Sequence, residues 1–394
     1  MLFILLTNHP VLQAQEKKTP EYYFEKGEGA LSKEQYITAQ AHFTECLRLN
    51  TRFAEAYRLR AVAREYLNER EKALNDYNIY LDLVPGDAEA LFSRAMLRFE
   101  SDQYLLAHKD FLTLLTLPKG DTKTIFFGQE KFNNSNLKIF TAHSSKNDYI
   151  YNYLGLTDIK LKRYDAALGW LDSAIKIEPA NPTYRINHGL AKLEKKDSNG
   201  ALIDFKEALR LDPESSLAIH NIAIIKSNSG EINASEQLLS EAIDKNKNMP
   251  YPYAARAYHR FLKNDLTGAL ADYDEVIKIE PSTENYVSRG LVKEKQKDLK
   301  SAATDFAKAI ELDDKNLKAW VSHGNIMSRL EKWQDAIDDY TVAISHNSRY
   351  ALAYYNRAIA NQSSGKLTSA CSDLKMAEKL GIKLDVRVSD KICK

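Results

Sequence analysis

Cysteine is nearly absent: Cys46, Cys371 and Cys393 are the only three in 394 residues, so no disulfide framework stands in for a hydrophobic core. The spacing leaves a Cys371–Cys393 bridge open, but with one cysteine in a helical stretch and one in a terminal tail, free thiols are the expectation. No apolar run approaches the roughly 20 residues of a membrane-spanning helix. Ten prolines and fifteen glycines are too few and too scattered for a long linker. Charge of one sign is lacking too, since 55 basic residues nearly cancel 54 acidic ones, which argues against nucleic-acid binding carried by overall charge. The sequence contains no H-E-x-x-H, paired C-x-x-C, G-x-x-x-x-G-K-[ST] or G-x-S-x-G. His220, His259 and His346 are scattered rather than clustered. No catalytic, cofactor or metal site is therefore expected.

What remains is a long chain with 44% hydrophobic and 28% charged residues, more than one ordinary core can hold. Its start, "MLFILLTNHPVLQAQEKKTP", has a short apolar segment, then Pro10, then small Ala14 before a polar stretch. Residues 1–14 read as a secretory signal without a positive n-region, and no cysteine follows to make a lipobox. Export to a periplasm or envelope is the expectation, with a cytosolic amphipathic tail as the alternative.

Ten similar units begin at residues 20, 54, 88, 148, 182, 216, 250, 283, 317 and 351, a period of 34 with one step of 33 and one interruption. The eighth position is always small, from Gly27 and Ala61 to Gly324 and Ala358. The twentieth is Ala in nine units and Ser235 in the other, and position 24 is always aromatic or Leu. Pro85, Pro179, Pro213 and Pro281 stand at position 32. Each unit has two apolar stretches at helical spacing, parted by polar residues or Gly near position 15. This is a helix, a tight turn and an antiparallel helix. One such hairpin leaves a face bare, and stacking neighbours covers it.

In this pattern the chain resembles the tetratricopeptide repeat (TPR) family over roughly residues 20 to 384. "AWVSHGNIMSRLEKWQDAIDDYTVAI" places Trp320, Gly324, Ala336, Tyr340 and Ala343 at its hallmark positions. The resemblance implies an all-α fold, a right-handed α-solenoid superhelix of stacked helix-turn-helix hairpins. Units 1 to 3 would span residues 20–118 and units 4 to 10 residues 148–384, with a tail over 385–394. Between the two blocks lie 119–147, where "TIFFGQEKF" and "NLKIFTAH" flank the turn-rich "NNSN" and predict a β-hairpin. Phe126, Phe127, Phe132 and Phe140 argue that this insertion docks on something, and a ligand-contacting role is one reading of it. The tail, with Gly381 as a helix stop and alternating apolar residues after it, would cap the last repeat or reach a partner.

Positions 7 and 23 vary together: Arg60 with Asp76, Arg94 with Asp110, Arg256 with Asp272, Arg289 with Asp305 and Arg357 with Asp373. His188 with Asp204 and His323 with Asp339 are variants, Leu154 with Trp170 and Ile222 with Leu238 are apolar in both places, and Lys26 with His42 breaks the rule. An antiparallel hairpin centred near position 15 brings 7 and 23 together, so these are expected to be structural ion pairs rather than a ladder for an anionic ligand.

In the family the first helix of each repeat lines a concave groove for a peptide or protein segment, with positions 2, 5, 9 and 12 exposed. Carried over, the resemblance implies a partner-binding groove of Phe92, Met96, Phe99, Leu156, Ile159, Ile186, Leu190, Leu193, Ile224, Tyr251, Tyr258 and Phe261. The end units are more polar there, with Glu21, Glu55, Glu65, Glu284, Glu294, Lys318 and Asn325. The Lys and Asn set that clamps chaperone C-termini in one subfamily is incomplete. The expected function is a non-enzymatic scaffold for a protein or peptide. The alternatives are an accessory subunit of an envelope secretion, surface-assembly or polysaccharide-handling machine, and a cytosolic regulatory module.

Overall fold

The structure is a computed structural model that describes residues 18–117, 124–128, 138–142, 147–383 and 393. The signal-like residues 1–14 and most of the tail lie outside the described residues. The described chain parts into two compact units within one helix, after Asp204. The first unit holds α1 (Pro20–Leu31) with α2 (Tyr36–Leu49), α3 (Ala54–Tyr66) with α4 (Arg70–Leu83) and α5 (Ala88–Glu100) with α6 (Tyr104–Thr116). A two-stranded antiparallel sheet follows, β1 (Thr124–Gly128) and β2 (Lys138–Ala142), in a register that sets Phe126 opposite Phe140. Strand β1 runs beside α5. The unit continues with α7 (Asp148–Lys160) and α8 (Tyr164–Ile177), then α9 (Pro182–Glu194) and the start of α10 (Ser198–Leu211). The second unit holds the remainder of α10, then α11 (Ser216–Asn228) with α12 (Ile232–Lys245), α13 (Pro250–Leu262) with α14 (Leu266–Ile279), and α15 (Thr283–Lys295) with α16 (Leu299–Leu312). It ends with α17 (Leu317–Arg329), α18 (Trp333–His346), α19 (Ala351–Ser363) and α20 (Leu367–Lys379). Within each unit consecutive helices pack on one another, so the hairpins stack in chain order.

The small residues decide how closely each hairpin closes. Every position 20 is fully buried, from Ala39 to Ala370, and Ser235 meets the cost of its hydroxyl by donating to the Ala223 carbonyl at 2.7 Å. Position 24 lies against position 8: a Cβ added to Gly27 would come within 2.5 Å of the Phe43 ring, and one on Gly290 within 2.7 Å of Phe306. Phe43, Phe111, Phe306 and Tyr340 are at most 1% exposed, each worth on the order of 2–3 kcal/mol of apolar burial. Between the helices, position 15 is left-handed in all ten hairpins, with φ from 58° at Glu34 to 84° at Gly230. Only Gly230 and Gly365 take that conformation without a Cβ penalty. The next amide then closes the helix end, as where Glu69 N–H donates to the Arg64 carbonyl at 2.8 Å and Asp298 N–H to the Lys293 carbonyl at 3.0 Å.

Positions 7 and 23 meet as hydrogen-bonded ion pairs. The guanidinium Nη2 stands 2.7 Å from Oδ1 in Arg60–Asp76, 2.9 Å in Arg94–Asp110, 2.7 Å in Arg256–Asp272, 2.6 Å in Arg289–Asp305 and 2.7 Å in Arg357–Asp373. Each Nε donates to the second oxygen, a two-pronged geometry that only arginine provides. His188 Nδ1 meets Asp204 at 2.8 Å and His323 Nδ1 meets Asp339 at 2.7 Å. Two further partners went unread in the sequence. Position 11 sends a second cation to the same carboxylate, with Arg64, Arg98 and Lys293 at 2.6, 2.6 and 2.8 Å from Asp76, Asp110 and Asp305. Position 25 of the preceding hairpin takes the free Nη1, as Asn78 does for Arg94 and Ser240 for Arg256. The arginine thus staples its own two helices and the hairpin before them. In the fourth hairpin the signs reverse: buried Asp158 occupies position 11, accepts from the Trp170 indole at 3.1 Å and faces His108 of α6 at 3.3 Å.

The cysteines overturn one expectation. Cys371 and Cys393 are joined by a disulfide with Cα atoms 5.0 Å apart, and the free-thiol reading is corrected accordingly. Twenty-two residues of separation gave no sign that the tail returns to α20. Cys46 is the free cysteine, its thiol pushed up to about 11 mainly by burial, as befits a packing residue rather than a reactive one.

Candidate functional site

The faces formed by positions 2, 5, 9 and 12 of the first helices differ between the two units. In the first unit the face is largely closed. Phe92, expected as a groove residue, is 6% exposed and packs among the Phe111, Tyr149 and Tyr153 rings at 5.9, 5.5 and 5.7 Å. It is a core residue, because position 5 points at the next hairpin's first helix. Ile186, at the same repeat position, is buried too. Met96, Phe99 and Ile159 pack against buried clusters and keep one side open, and Leu156, Leu190 and Leu193 are half-buried. Along position 2, Glu55 and Glu89 share Arg58, whose Nε donates to Glu55 at 2.7 Å and whose Nη1 stands 3.8 Å from Glu89. At position 12, Glu65 accepts from the Tyr77 hydroxyl at 2.5 Å, and burial lifts its carboxyl to about 7.

In the second unit the same face opens at α13. Tyr251 is 41% exposed, Tyr258 54% and Leu262 58%. They follow one another at seven and four residues, so they form one stripe along the helix. Phe261 sits half-buried beside it, its ring under Lys295 Nζ at 4.4 Å. His220 of α11 lies with its ring 6.2 Å from Tyr251, and burial pushes its imidazole down to about 4, so it is neutral at physiological pH. Asn325 is taken by the scaffold: its Oδ1 accepts from Tyr340 at 2.8 Å and from Asn356 at 2.9 Å. Ile224 is half-buried on the same side as His220. Thus the structure gathers Tyr251, Tyr258 and Phe261 with a residue that repeat alignment did not single out, Leu262. Its signal was simply an apolar residue one step past position 12. Among the described residues no group of three or more His, Cys, Asp or Glu side chains could hold a metal ion, and no helix is long and apolar enough to cross a membrane.

Residues 283–316, the eighth hairpin and its exit loop, match the family model described as a tetratricopeptide repeat. Nine further hairpins in register with that one carry the same small and turn positions, with an aromatic ring or Leu at position 24. The chain is a tetratricopeptide repeat protein. It is 31% identical over 183 residues to the human mitochondrial import receptor subunit TOM70, covering 44% of this chain and 30% of that one. It is 23% identical over 205 residues to human tetratricopeptide repeat protein 6, covering 51% of this chain and 39% of the relative. The chain therefore spans well under half the length of these curated relatives. Among solved structures, a tetratricopeptide repeat protein from Parabacteroides merdae matches at TM-score 0.45 and 18% identity over 79% of this chain and all of that one. The TPR protein YrrB, described as having an unusual peptide-binding site, matches at TM-score 0.43 and 16% identity over 48% of this chain and 97% of its own. Tetratricopeptide repeats serve in general as platforms for protein interaction.

Proposed function

We propose that this TPR protein binds an apolar peptide or helical segment of a partner protein on the α13 face, with Tyr251, Tyr258 and Leu262 as anchors and Phe261 as their backing. The observation that carries this is the stripe itself: three large side chains, 41 to 58% exposed, on one face of one helix. Aromatic side chains held on a rigid helix supply contact area at little entropic cost, which is what interface anchors require. That one relative is a subunit of an import receptor suits a surface that receives protein segments. The test is to select peptides from a random displayed library on the native chain and to measure them against Tyr258→Ala, whose side chain is too exposed to disturb the core. Loss of more than tenfold in affinity, about 1.4 kcal/mol, supports the reading. Equal affinity removes α13 as the site.

A second element of the proposal is that the chain works outside the reducing cytosol, in a bacterial envelope. The Cys371–Cys393 bridge supports it, since disulfides persist in oxidising compartments. Fractionation of cells carrying the full chain tests it, and a chain found wholly in the cytosol with reduced cysteines refutes it. A role beside a polysaccharide-handling machine predicts that soluble glycans raise the melting temperature; a peptide-specific site predicts no such shift.

A further inference from the structure

Five hairpins carry Arg at position 7 and Asp at position 23, and four of them place a second cation at position 11: Arg64, Arg98, Arg260 and Lys293. These cations stand 2.6, 2.6, 2.9 and 2.8 Å from their aspartates. The three arginines reach further. Arg98 Nη2 donates to Asn78 Oδ1, position 25 of the preceding hairpin, at 3.1 Å. Arg64 and Arg260 donate to the position 19 carbonyls of Lys72 and Gly268, both at 3.3 Å. Arg260 Nε also lies 3.6 Å from Glu236, position 21 of the preceding hairpin, and 3.9 Å from Asp265 at position 16. The guanidinium group therefore has a recurring set of neighbours: positions 16, 19 and 23 of its own hairpin and positions 21 and 25 of the one before.

The tenth hairpin keeps this frame and shortens the side chain. Arg357 grips Asp373 as its counterparts do, and its Nη1 donates to Thr341, position 25 of the ninth hairpin, at 2.9 Å. Position 11 is Asn361, 4% exposed, whose amide donates to Asp373 Oδ2 at 3.1 Å. Asparagine reaches the carboxylate and ends there. Beside it lies a cavity of about 480 Å³, within the roughly 300–1,000 Å³ of small-ligand sites. Its walls include Lys366, Ser369 and Asp373 at positions 16, 19 and 23, with Ile337 and Thr341 at positions 21 and 25 of the ninth hairpin. Those are the same five positions that surround the arginine heads elsewhere in the chain.

We propose that this cavity binds a guanidinium group, carried by an arginine side chain of a partner protein or by a free guanidino compound, in the place that position 11 fills in the second, third and seventh hairpins. Asn361, on the cavity wall, has an Oδ1 that accepts no hydrogen bond among the described residues. The Ser369 carbonyl corresponds to the Lys72 and Gly268 carbonyls that accept from arginine. An ammonium group fits less well. Asp373 Oδ2 already accepts from Arg357 Nε and Asn361, so the carboxylate contact that Lys293 makes is taken. The remaining acceptors lie apart on two hairpins, and a planar fork with five N–H donors reaches several of them at once. Charge permits a second guanidinium, since the second and third hairpins each hold two on one carboxylate. Lys366 adds a cation at the rim, but it is exposed and donates to Gln334 at 2.6 Å, where water and salt screen it.

Ligand-detected NMR titration of the full chain tests this with three probes: N-acetyl-argininamide, free L-arginine and N-acetyl-lysinamide. The expected result is saturable binding of an arginine probe, at least tenfold tighter than lysinamide. Asn361→Arg, which fills the cavity with the chain's own guanidinium, should weaken it at least tenfold. Asn361→Met should do the same without adding charge; the ninth hairpin already carries a methionine here, Met327, 6% exposed. Urea melts show which variants are folded, and either one suffices. Tyr258→Ala should leave binding unchanged, which separates this site from the α13 face. Argininamide binding as tightly as free arginine or more so identifies a protein segment as the source, and tighter binding of free arginine identifies a small guanidino compound; either upholds the assignment. The proposal is overturned if neither arginine probe binds saturably or if lysinamide binds equally well. Binding that folded Asn361 variants leave unchanged, or that Tyr258→Ala removes, overturns it too.

Discussion

Replacing Asp305 by alanine isolates what the repeated ion pair contributes. Asp305 is 2% exposed and neutralises two cations at once, Arg289 at 2.6 Å and Lys293 at 2.8 Å. Removing one partner of a buried pair costs about 3–5 kcal/mol, because the remaining charge has lost its counter-ion and cannot regain bulk water. Two features place this case at the low end. Arg289 keeps a bond to Asp274 at 2.7 Å, and the cationic side chains are 18 and 19% exposed. The expected loss for Asp305→Ala is therefore about 3 kcal/mol. The sixth hairpin supplies the control: Ile222 and Leu238 stand at positions 7 and 23, and Lys226 at position 11 turns instead to Glu231 at 2.9 Å. Arg289→Ile with Asp305→Leu reproduces that arrangement and leaves Lys293 free to turn to Asp298, the acid at the same position as Glu231. The double variant should recover all but about 1 kcal/mol, the net worth of a pair exchanged for packed apolar groups. Stacked repeats need not melt as one, so the assay is hydrogen exchange of α15 and α16 beside a urea melt of the whole chain. A double variant no more stable than Asp305→Ala would refute the reasoning.

Three further outcomes follow from the packing. Gly290→Ala should destabilise by about 1–2 kcal/mol in urea melts, since its Cβ collides with the buried Phe306 ring and this outweighs the better helix propensity of alanine. Glu331→Gly, at φ 59°, should stabilise by about 0.5–1 kcal/mol, because it relieves a left-handed Cβ contact; a neutral or negative effect means the turn is not strained. Glu65 has its carboxyl raised to about 7, so the folded state holds its proton more tightly than the unfolded chain. Its contribution is complete below about pH 4.5 and is lost as pH rises toward 7, by at most about 3 kcal/mol. Glu65→Gln should flatten that part of the stability–pH curve, and a curve unchanged by the substitution removes Glu65 as its origin.

The period of 34 residues, the small residues at positions 8 and 20 and the ring at 24 determined the hairpin and its stacking, because each is a local spacing that recurs ten times. The arginine–aspartate contacts were legible for the same reason: two residues sixteen apart across a turn can meet in only one way. The second cation at position 11 was equally visible, twelve residues before each acid, but its role needed the helix surface, where positions 7 and 11 lie on one face. Burial was not legible, because it depends on the hairpin that comes next. Phe92 and Tyr258 occupy similar places on the first helices, yet Phe92 is covered by Tyr149 and Tyr153 while Tyr258 is left more than half exposed. The disulfide is the extreme case, since it joins residues that no repeat relates and exists only because the chain's end returns to α20. Local spacing is written in one dimension, and coverage is settled by which surface arrives from elsewhere in the chain.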